Sequence, residues 1–263
     1  MTVAAPVAAS MPSFDLGGRV ALVTGAARGI GRAIALALAH HGADVALGLR
    51  QGTSGADLAD EIAGVGRRAT RLPMDVRDLD QVRDAVDAVV ETLGRIDILV
   101  NNAGLGPANP AEDVTEADFD LTFDVNVKGA FFASQAAARH MIRQGTGTIV
   151  SLSSQAGLVA LPTESVYCMS KAAVSHMTRC LAVEWGRHGI TVNAVAPTFI
   201  HTDGTTADLA DAAFEADVRE RIAGLHRIGE PMEVAGAVVF LASPAASLIT
   251  GTTLLVDGGW TAR

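Results

Sequence analysis

The chain is poor in several residue types that would have pointed elsewhere. Of its 263 residues only two are cysteine, Cys168 and Cys180. Both fall in one predicted helix, three turns apart, too far to bridge to each other. A disulfide scaffold is therefore excluded, and a reducing, cytoplasmic setting is expected. Basic residues are outnumbered: 20 Lys and Arg against 29 Asp and Glu, a net charge of −9. An acidic surface without a basic stripe argues against a nucleic-acid partner. No apolar run reaches the roughly 18 residues that span a bilayer. The seven histidines show no ligand spacing, so no metal site is expected. Aromatics make up 4% of the chain, with a single tyrosine, Tyr167.

What is present is a regular alternation. The stretch before residue 14 is rich in Ala, Val and Pro, lacks the basic start of a secretory signal, and reads as a flexible extension over residues 1–13. Residues 14–263 then read as one domain. Short β-rich runs at 19–24, 44–49, 69–74, 96–100, 148–152, 191–195 and 253–256 alternate with helical patterns. The helices are expected near 29–41, 55–65, 79–93, 116–144, 165–187, 208–223 and 231–241. Seven strands separated by helices predict an α/β, Rossmann-type, doubly wound parallel sheet in a single domain. Near-continuous apolar strands such as Val20–Val23 suit burial on both faces.

Thr24-Gly25-Ala26-Ala27-Arg28-Gly29-Ile30-Gly31 follows the first strand and opens the first helix. Glycines at 25, 29 and 31 permit a tight turn and a close backbone approach, and the N–H groups around Ile30 face a pyrophosphate at the helix start. The spacing differs from the common Gly-x-Gly-x2-Gly fingerprint. At the end of the second strand stands Arg50, where an acidic residue would select NAD by holding its ribose 2′-hydroxyl. Arg50, with Arg28 nearby, suits a 2′-phosphate, so NADP(H) is favoured over NAD(H). Asp75 and Val76 close the third strand, where Asp75 either accepts from an adenine amino group or caps the next helix. Asn101-Asn102-Ala103-Gly104 ends the fourth strand with small residues that let a ribose lie against the backbone, or simply makes an Asn/Gly turn.

Tyr167 and Lys171 stand four residues apart, on one face of a predicted helix. The chain holds one tyrosine and two lysines, so a chance lysine at that spacing has odds of about 1 in 130. A free phenol, with a pKa near ~10, is a poor base at neutral pH. An ammonium at ~4 Å in an effective dielectric of ~20 contributes about 4 kcal/mol, enough to lower that pKa by up to about three. Tyr167 then gives a proton to a carbonyl oxygen or takes one from an alcohol, while a nicotinamide moves the hydride. A second hydroxyl is needed on the same oxygen, and Ser153 and Ser154 at the end of the fifth strand both qualify.

Together these motifs resemble the short-chain dehydrogenase/reductase family, in its compact single-domain branch, from about Gly18 to Gly259. The resemblance selects Ser154 over Ser153 and implies a catalytic set of Asn126, Ser154, Tyr167 and Lys171. Asn126 belongs there to a water-mediated relay through Lys171. It implies cofactor contacts at Gly25, Arg28, Gly29, Ile30, Gly31, Arg50, Asp75, Val76, Asn102, Ala103, Gly104, Tyr167, Lys171 and Pro197. The backbone of Ile200 and the hydroxyl of Thr202 add to these over the nicotinamide. Thr198 stands where the family usually has glycine. Residues 203–227 correspond to a substrate lid, and a homotetramer is the family's common state. By the same analogy Gln155, Leu161, Glu164 and His201 approach the substrate, bordered by Leu105 and Gly106. Their polarity favours a polyol, sugar or sugar acid. A 3-oxoacyl thioester or small ketone is the alternative, with Arg139 and Arg143 the only hint of a docking patch. A catalytically silent nucleotide sensor is the more distant reading, set against four intact catalytic positions.

Overall fold

The computed structural model describes residues 11–262. Residues 1–10 of the expected extension lie outside the described residues. Among the described residues Ser13 is tied to the rest of the chain, its carbonyl accepting the Ala245 N–H at 3.0 Å.

Seven strands form one parallel sheet: β1 (Val20–Thr24), β2 (Asp44–Leu49), β3 (Ala69–Pro73), β4 (Ile98–Asn101), β5 (Gly147–Leu152), β6 (Ile190–Pro197) and β7 (Thr253–Val256). Their order across the sheet is β3-β2-β1-β4-β5-β6-β7. The order reverses between β1 and β4, which opens a crevice at the carboxyl ends of these two strands. Register is shared across the switch, with Val23 opposite both Leu47 of β2 and Val100 of β4.

Strand alternation divides the core into two layers. Ala21, Val23, Val45 and Val100 face one side, beneath α1 (Gly29–His40) and α8 (Pro231–Ala242). Val20, Leu22, Leu99 and Ile149 face the other. There α3 (Leu79–Leu93) packs beside α5 (Ala130–Gln144) and α6 (Ser165–Trp185). Both faces being covered explains why these strands lack polar alternation. Buried Asp97 holds the amino edge, accepting the Val20 N–H at 3.0 Å and two bonds from Arg95 at 2.6 and 2.7 Å.

The remaining elements are α2 (Ala56–Gly64), α4 (Glu116–Phe123) and α7 (Ala212–Arg221). Two expected helices prove to be interrupted. The stretch 116–144 is α4, then a π-helical turn at Asp124–Gly129, then α5. The extra residue of the wider turn follows from Asn126, whose amide bonds sideways instead of facing the helix surface. The stretch 208–223 breaks at Asp211, whose carboxylate caps α7 by accepting the Ala213 and Phe214 N–H groups at 2.8 and 3.2 Å. The segment 203–227 carries a small apolar cluster of its own. Val218, Ile222, Ile228 and Trp260 form it, with Phe199, Leu161 and Leu209 packed against them. Strand β4 begins two residues later than expected, because Ile96 and Asp97 serve as its anchor.

Candidate active site

The glycine turn after β1 is held by a clasp. Thr24 Oγ1 accepts the N–H groups of Asn102 and Ala103, each at 3.0 Å. The Asn102 amide returns two bonds, to the carbonyls of Thr24 at 2.9 Å and Gly25 at 3.1 Å. Strand ends on both sides of the switch point are thus tied together. A Cβ at Gly31 would sit on Asn102 Nδ2 and the Gly25 carbonyl, so only glycine fits there. Arg28, at the N-cap of α1, supplies no side-chain bond to the first turn. The N–H groups at the start of α1 are left for a ligand. Thr202, in the loop after β6, packs within 3.5 Å of the Cβ position of Gly29, which brings that loop over the turn. Asn102 therefore acts by shaping the turn. Thr24, not among the expected contacts, is as much a part of it; its place as the last residue of β1 was the only signal.

Arg28 and Arg50 are exposed and make no side-chain hydrogen bond or ion pair among the described residues. Asp75 does not cap α3; Asp78 does, accepting the Asp80 and Gln81 N–H groups at 3.1 and 3.2 Å. The Asp75 carboxylate is instead gripped by Arg77, at 2.7 Å from Nη2, and this bond leads the causes that hold its pKa low. Val76 is buried against Gly129 of the π-helical turn.

At the other end of the crevice, α6 carries Tyr167 and Lys171 to the ends of β4 and β5. Lys171 is 5% exposed, and its Nζ donates to the Leu152 carbonyl at 2.8 Å. The other two ammonium protons have no hydrogen-bond partner among the described residues. The same Nζ lies 3.2 Å from the Cβ position of Gly104 and 5.5 Å from the Tyr167 ring centroid. Burial pulls the Lys171 pKa down to about 8. Tyr167 is pushed up to about 12, first by burial; a hydrogen bond with Ser154 works the other way, and nearby Glu164 raises it further. The expected lowering of the phenol by a lysine at ~4 Å is thus not what the protein shows. The ammonium is bonded to the Leu152 carbonyl, and burial leads the causes at the phenol. Burial thus favours the neutral phenol and weakens the neighbouring ammonium.

Geometry decides between the two serines. Ser153 is turned away, donating to the Lys171 carbonyl at 3.0 Å and meeting Ser175 at 2.7 Å, which staples β5 to α6. Ser154 faces Tyr167. Asn126 Oδ1 accepts the Leu105 N–H at 2.9 Å, and its Nδ2 donates to the Leu105 carbonyl at 2.7 Å and to Ser170 Oγ at 2.9 Å. Asn126 and Lys171 therefore flank Gly104 without bonding to each other. Ser170 was missed by sequence reasoning, being an ordinary helix residue until its partner is known.

Around the mouth, Gln155 is buried with its Oε1 on Ser154, not facing solvent. Glu164 is half-buried; burial and then Asp208 raise its pKa. Gly106 lies against the Tyr167 ring. Leu161 packs against the apolar cluster of Val218, Ile222, Ile228 and Trp260. His201 is exposed, and its side chain makes no hydrogen bond among the described residues. Ile200 is buried and bridges to Gly229. Thr198, in place of glycine, leaves its Oγ1 buried without a partner. Arg139 and Arg143 lie toward the carboxyl end of α5, which runs back to the amino edge of β5, opposite Tyr167. They make no docking patch for this site.

A dinucleotide fits what is present: an uncapped helix start behind a turn with no room for side chains, ammonium protons at Lys171 beyond the one given to Leu152, and two exposed arginines, Arg28 and Arg50, that make no ion pair among the described residues, Arg50 lying near enough to Asp75 to help lower its pKa.

A family profile described as "Enoyl-(Acyl carrier protein) reductase" matches residues 25–261. The chain belongs to the short-chain dehydrogenase/reductase family. It is 40% identical to 2-dehydro-3-deoxy-D-gluconate 5-dehydrogenase of Escherichia coli K12, over 96% of this chain and 99% of that protein. It is 41% identical to D-threitol dehydrogenase of Mycolicibacterium smegmatis, over 95% of each. Among solved structures, a gluconate 5-dehydrogenase from Burkholderia cenocepacia in complex with NADP and tartrate superposes with a TM-score of 0.91. It is 39% identical, over 95% of this chain and 98% of that one. This short-chain dehydrogenase is accordingly a nicotinamide-dependent oxidoreductase acting between hydroxyl and carbonyl groups.

Proposed function

We propose that this short-chain dehydrogenase is an NADP(H)-preferring dehydrogenase of a neutral polyol or sugar, with Tyr167 as its proton donor and acceptor. The observation that carries the reading is the convergence of Tyr167, Ser154 and Lys171 at the carboxyl ends of β4 and β5. When bound, the nicotinamide supplies or accepts the hydride. Tyr167 protonates the substrate oxygen in reduction and takes its proton in oxidation. Ser154 holds the same oxygen from a second direction. The two remaining Lys171 protons would hold the nicotinamide ribose hydroxyls. Asn126 keeps the 104–106 loop in place and anchors the water relay beyond Lys171.

Gly25, Gly29, Ile30 and Gly31 take the pyrophosphate at the start of α1. Asp75 and Val76 border the adenine, with Asn102, Ala103 and Gly104 under the ribose. Pro197, Ile200 and Thr202 close over the carboxamide. Arg50 and Arg28, unpaired at the end of β2 and in the turn, support a 2′-phosphate and hence NADP(H).

The relatives named above act on sugar acids and a polyol. Within that range, Glu164 and Asp208 place negative potential beside Tyr167 and favour an uncharged polyol or sugar over a carboxylate. His201 and Gln155 complete the polar side of the pocket. Exposed Leu248, Leu255 and Met232, next to edge strand β7, support self-association, and a homotetramer is the state inferred. Two free cysteines fit a cytoplasmic protein.

The test is a panel of polyols, aldoses and aldonates with NADP⁺ and NAD⁺, followed by nicotinamide absorbance, with Tyr167→Phe as control. Turnover should fall about 10²-fold or more in the variant with cofactor affinity retained. Near-normal turnover would reject the mechanism.

A further inference from the structure

A serine hydroxyl has one proton and two acceptor lone pairs. At Ser154, one lone pair takes the Ala156 N–H at 3.1 Å. The proton goes to Gln155 Oε1 at 2.6 Å, with the Pro197 carbonyl at 3.5 Å a distant second acceptor. A single lone pair remains, and it is the one that meets the Tyr167 phenol. Ser154 in this state accepts from a substrate hydroxyl. It has no proton for a carbonyl oxygen, or for an oxygen gathering negative charge as hydride leaves or arrives.

Gln155 is 2% exposed and opens the single turn of 3₁₀ helix at 155–157. Its Nε2 makes no hydrogen bond among the described residues, so nothing pins the amide except Ser154. A half-turn of that amide brings Nε2 to Ser154 in place of Oε1. Nε2 then donates, both lone pairs of Ser154 are filled, and the hydroxyl proton is released toward Tyr167. We propose that Gln155 is a positioning residue whose amide sets whether Ser154 accepts from an alcohol or donates to a carbonyl oxygen. No covalent bond changes; only the direction of two hydrogen bonds reverses. The proposal rests on the assignment of Ser154 and Tyr167 given above.

Two substitutions separate this role from simple packing. Gln155→Glu keeps the shape but, when ionised, offers only acceptors, which locks the Ser154 proton away from the substrate. Gln155→Leu removes the acceptor and leaves that proton free. Both are assayed in each direction, with the polyol that the wild type turns over best and with its ketose. Binding of the reduced cofactor, read by its fluorescence, reports that each variant is folded.

At pH 8 the Glu variant should lose about 10²-fold in kcat/KM, the scale of removing one oxyanion donor. The equilibrium constant requires the same loss in both directions. Its division differs: kcat falls for the alcohol with KM within about threefold, whereas KM rises for the ketose. Activity should recover as pH falls and the new carboxyl gains a proton to donate. The Leu variant should lose at least tenfold less than the Glu variant in kcat/KM at pH 8.

A packing role predicts the opposite order, since Glu preserves the shape and Leu strands a polar neighbour. A Leu variant that binds cofactor yet loses more than tenfold, or a Glu variant whose deficit does not change with pH, would overturn the proposal. Tyr167→Phe run alongside separates the two levels: full activity there overturns the assignment of the site itself.

Discussion

Gly106→Ala offers a sharp test of how Tyr167 is held. A Cβ at Gly106 would lie 2.5 Å from Tyr167 Cδ2, 2.8 Å from Cγ and 2.9 Å from Cβ. Unstrained carbon atoms sit ~3.5–4.0 Å apart. Either the ring or the 104–106 loop must therefore retreat by about 1 Å. The loop is not free to do so, because Leu105 is bonded at both N–H and carbonyl to Asn126, itself fixed to Ser170. Gly106 has an ordinary negative φ, so the alanine brings no backbone strain and the effect is one of contact alone. Overpacking of this kind costs about 1–3 kcal/mol, and a displacement of ~1 Å in a reacting group costs on the order of 10²-fold in rate. The variant should thus keep its cofactor affinity and lose about 30- to 100-fold in kcat. Stopped-flow measurement of nicotinamide absorbance, together with a fluorescence titration of the reduced cofactor, reads both quantities. A kcat within threefold of wild type would show that the loop yields freely and that Gly106 does not set the position of the phenol.

Gly31→Ala should do the reverse, displacing Asn102 and the glycine turn so that cofactor affinity drops by 10-fold or more, as calorimetric titration would show. Arg50→Ala should weaken NADP(H) at least tenfold more than NAD(H), the scale of one charge-assisted contact; equal losses in paired titrations would reject the cofactor preference. Glu233, whose pKa is held at about 2 chiefly by Arg227, ties the end of the 203–227 segment to the start of α8. Its folded pKa lies below the unfolded value, so its contribution is present above about pH 4.5 and is lost as pH falls toward 2. The carboxylate is partly solvated, which discounts the effect to ~1 kcal/mol. Glu233→Gln should lower the melting temperature by about 2–4 °C at pH 7 and make no difference near pH 2.

The sheet was legible because its strands are short apolar runs set off by helices, a pattern that local residues alone create. The Tyr167–Lys171 pair was legible for a different reason: tyrosine and lysine are so scarce that their spacing carries weight. What stayed hidden depends on contacts between distant segments. Nothing at 116–144 announces a π-helical turn, since the bonds that make Asn126 turn aside come from Leu105 and Ser170. Alternation left Ser153 and Ser154 equal until Ser175 and the Lys171 carbonyl claimed one of them. The direction of the Tyr167 shift was misjudged because charge was weighed and burial was not. Glycines 25, 29 and 31 were visible, but the Thr24–Asn102 clasp behind them was not, because it joins residues 78 positions apart.

The solitude of Tyr167 also gives the protein a spectroscopic handle. A phenolate absorbs at longer wavelength than a phenol, and in most enzymes that signal is lost among many tyrosines. Here every phenol photon belongs to the group proposed to exchange protons with the substrate, over a background of two tryptophans. An ultraviolet difference titration of the untagged, unlabelled chain therefore reports one ionisation directly. The same titration with cofactor added follows how far the nicotinamide site draws that ionisation down.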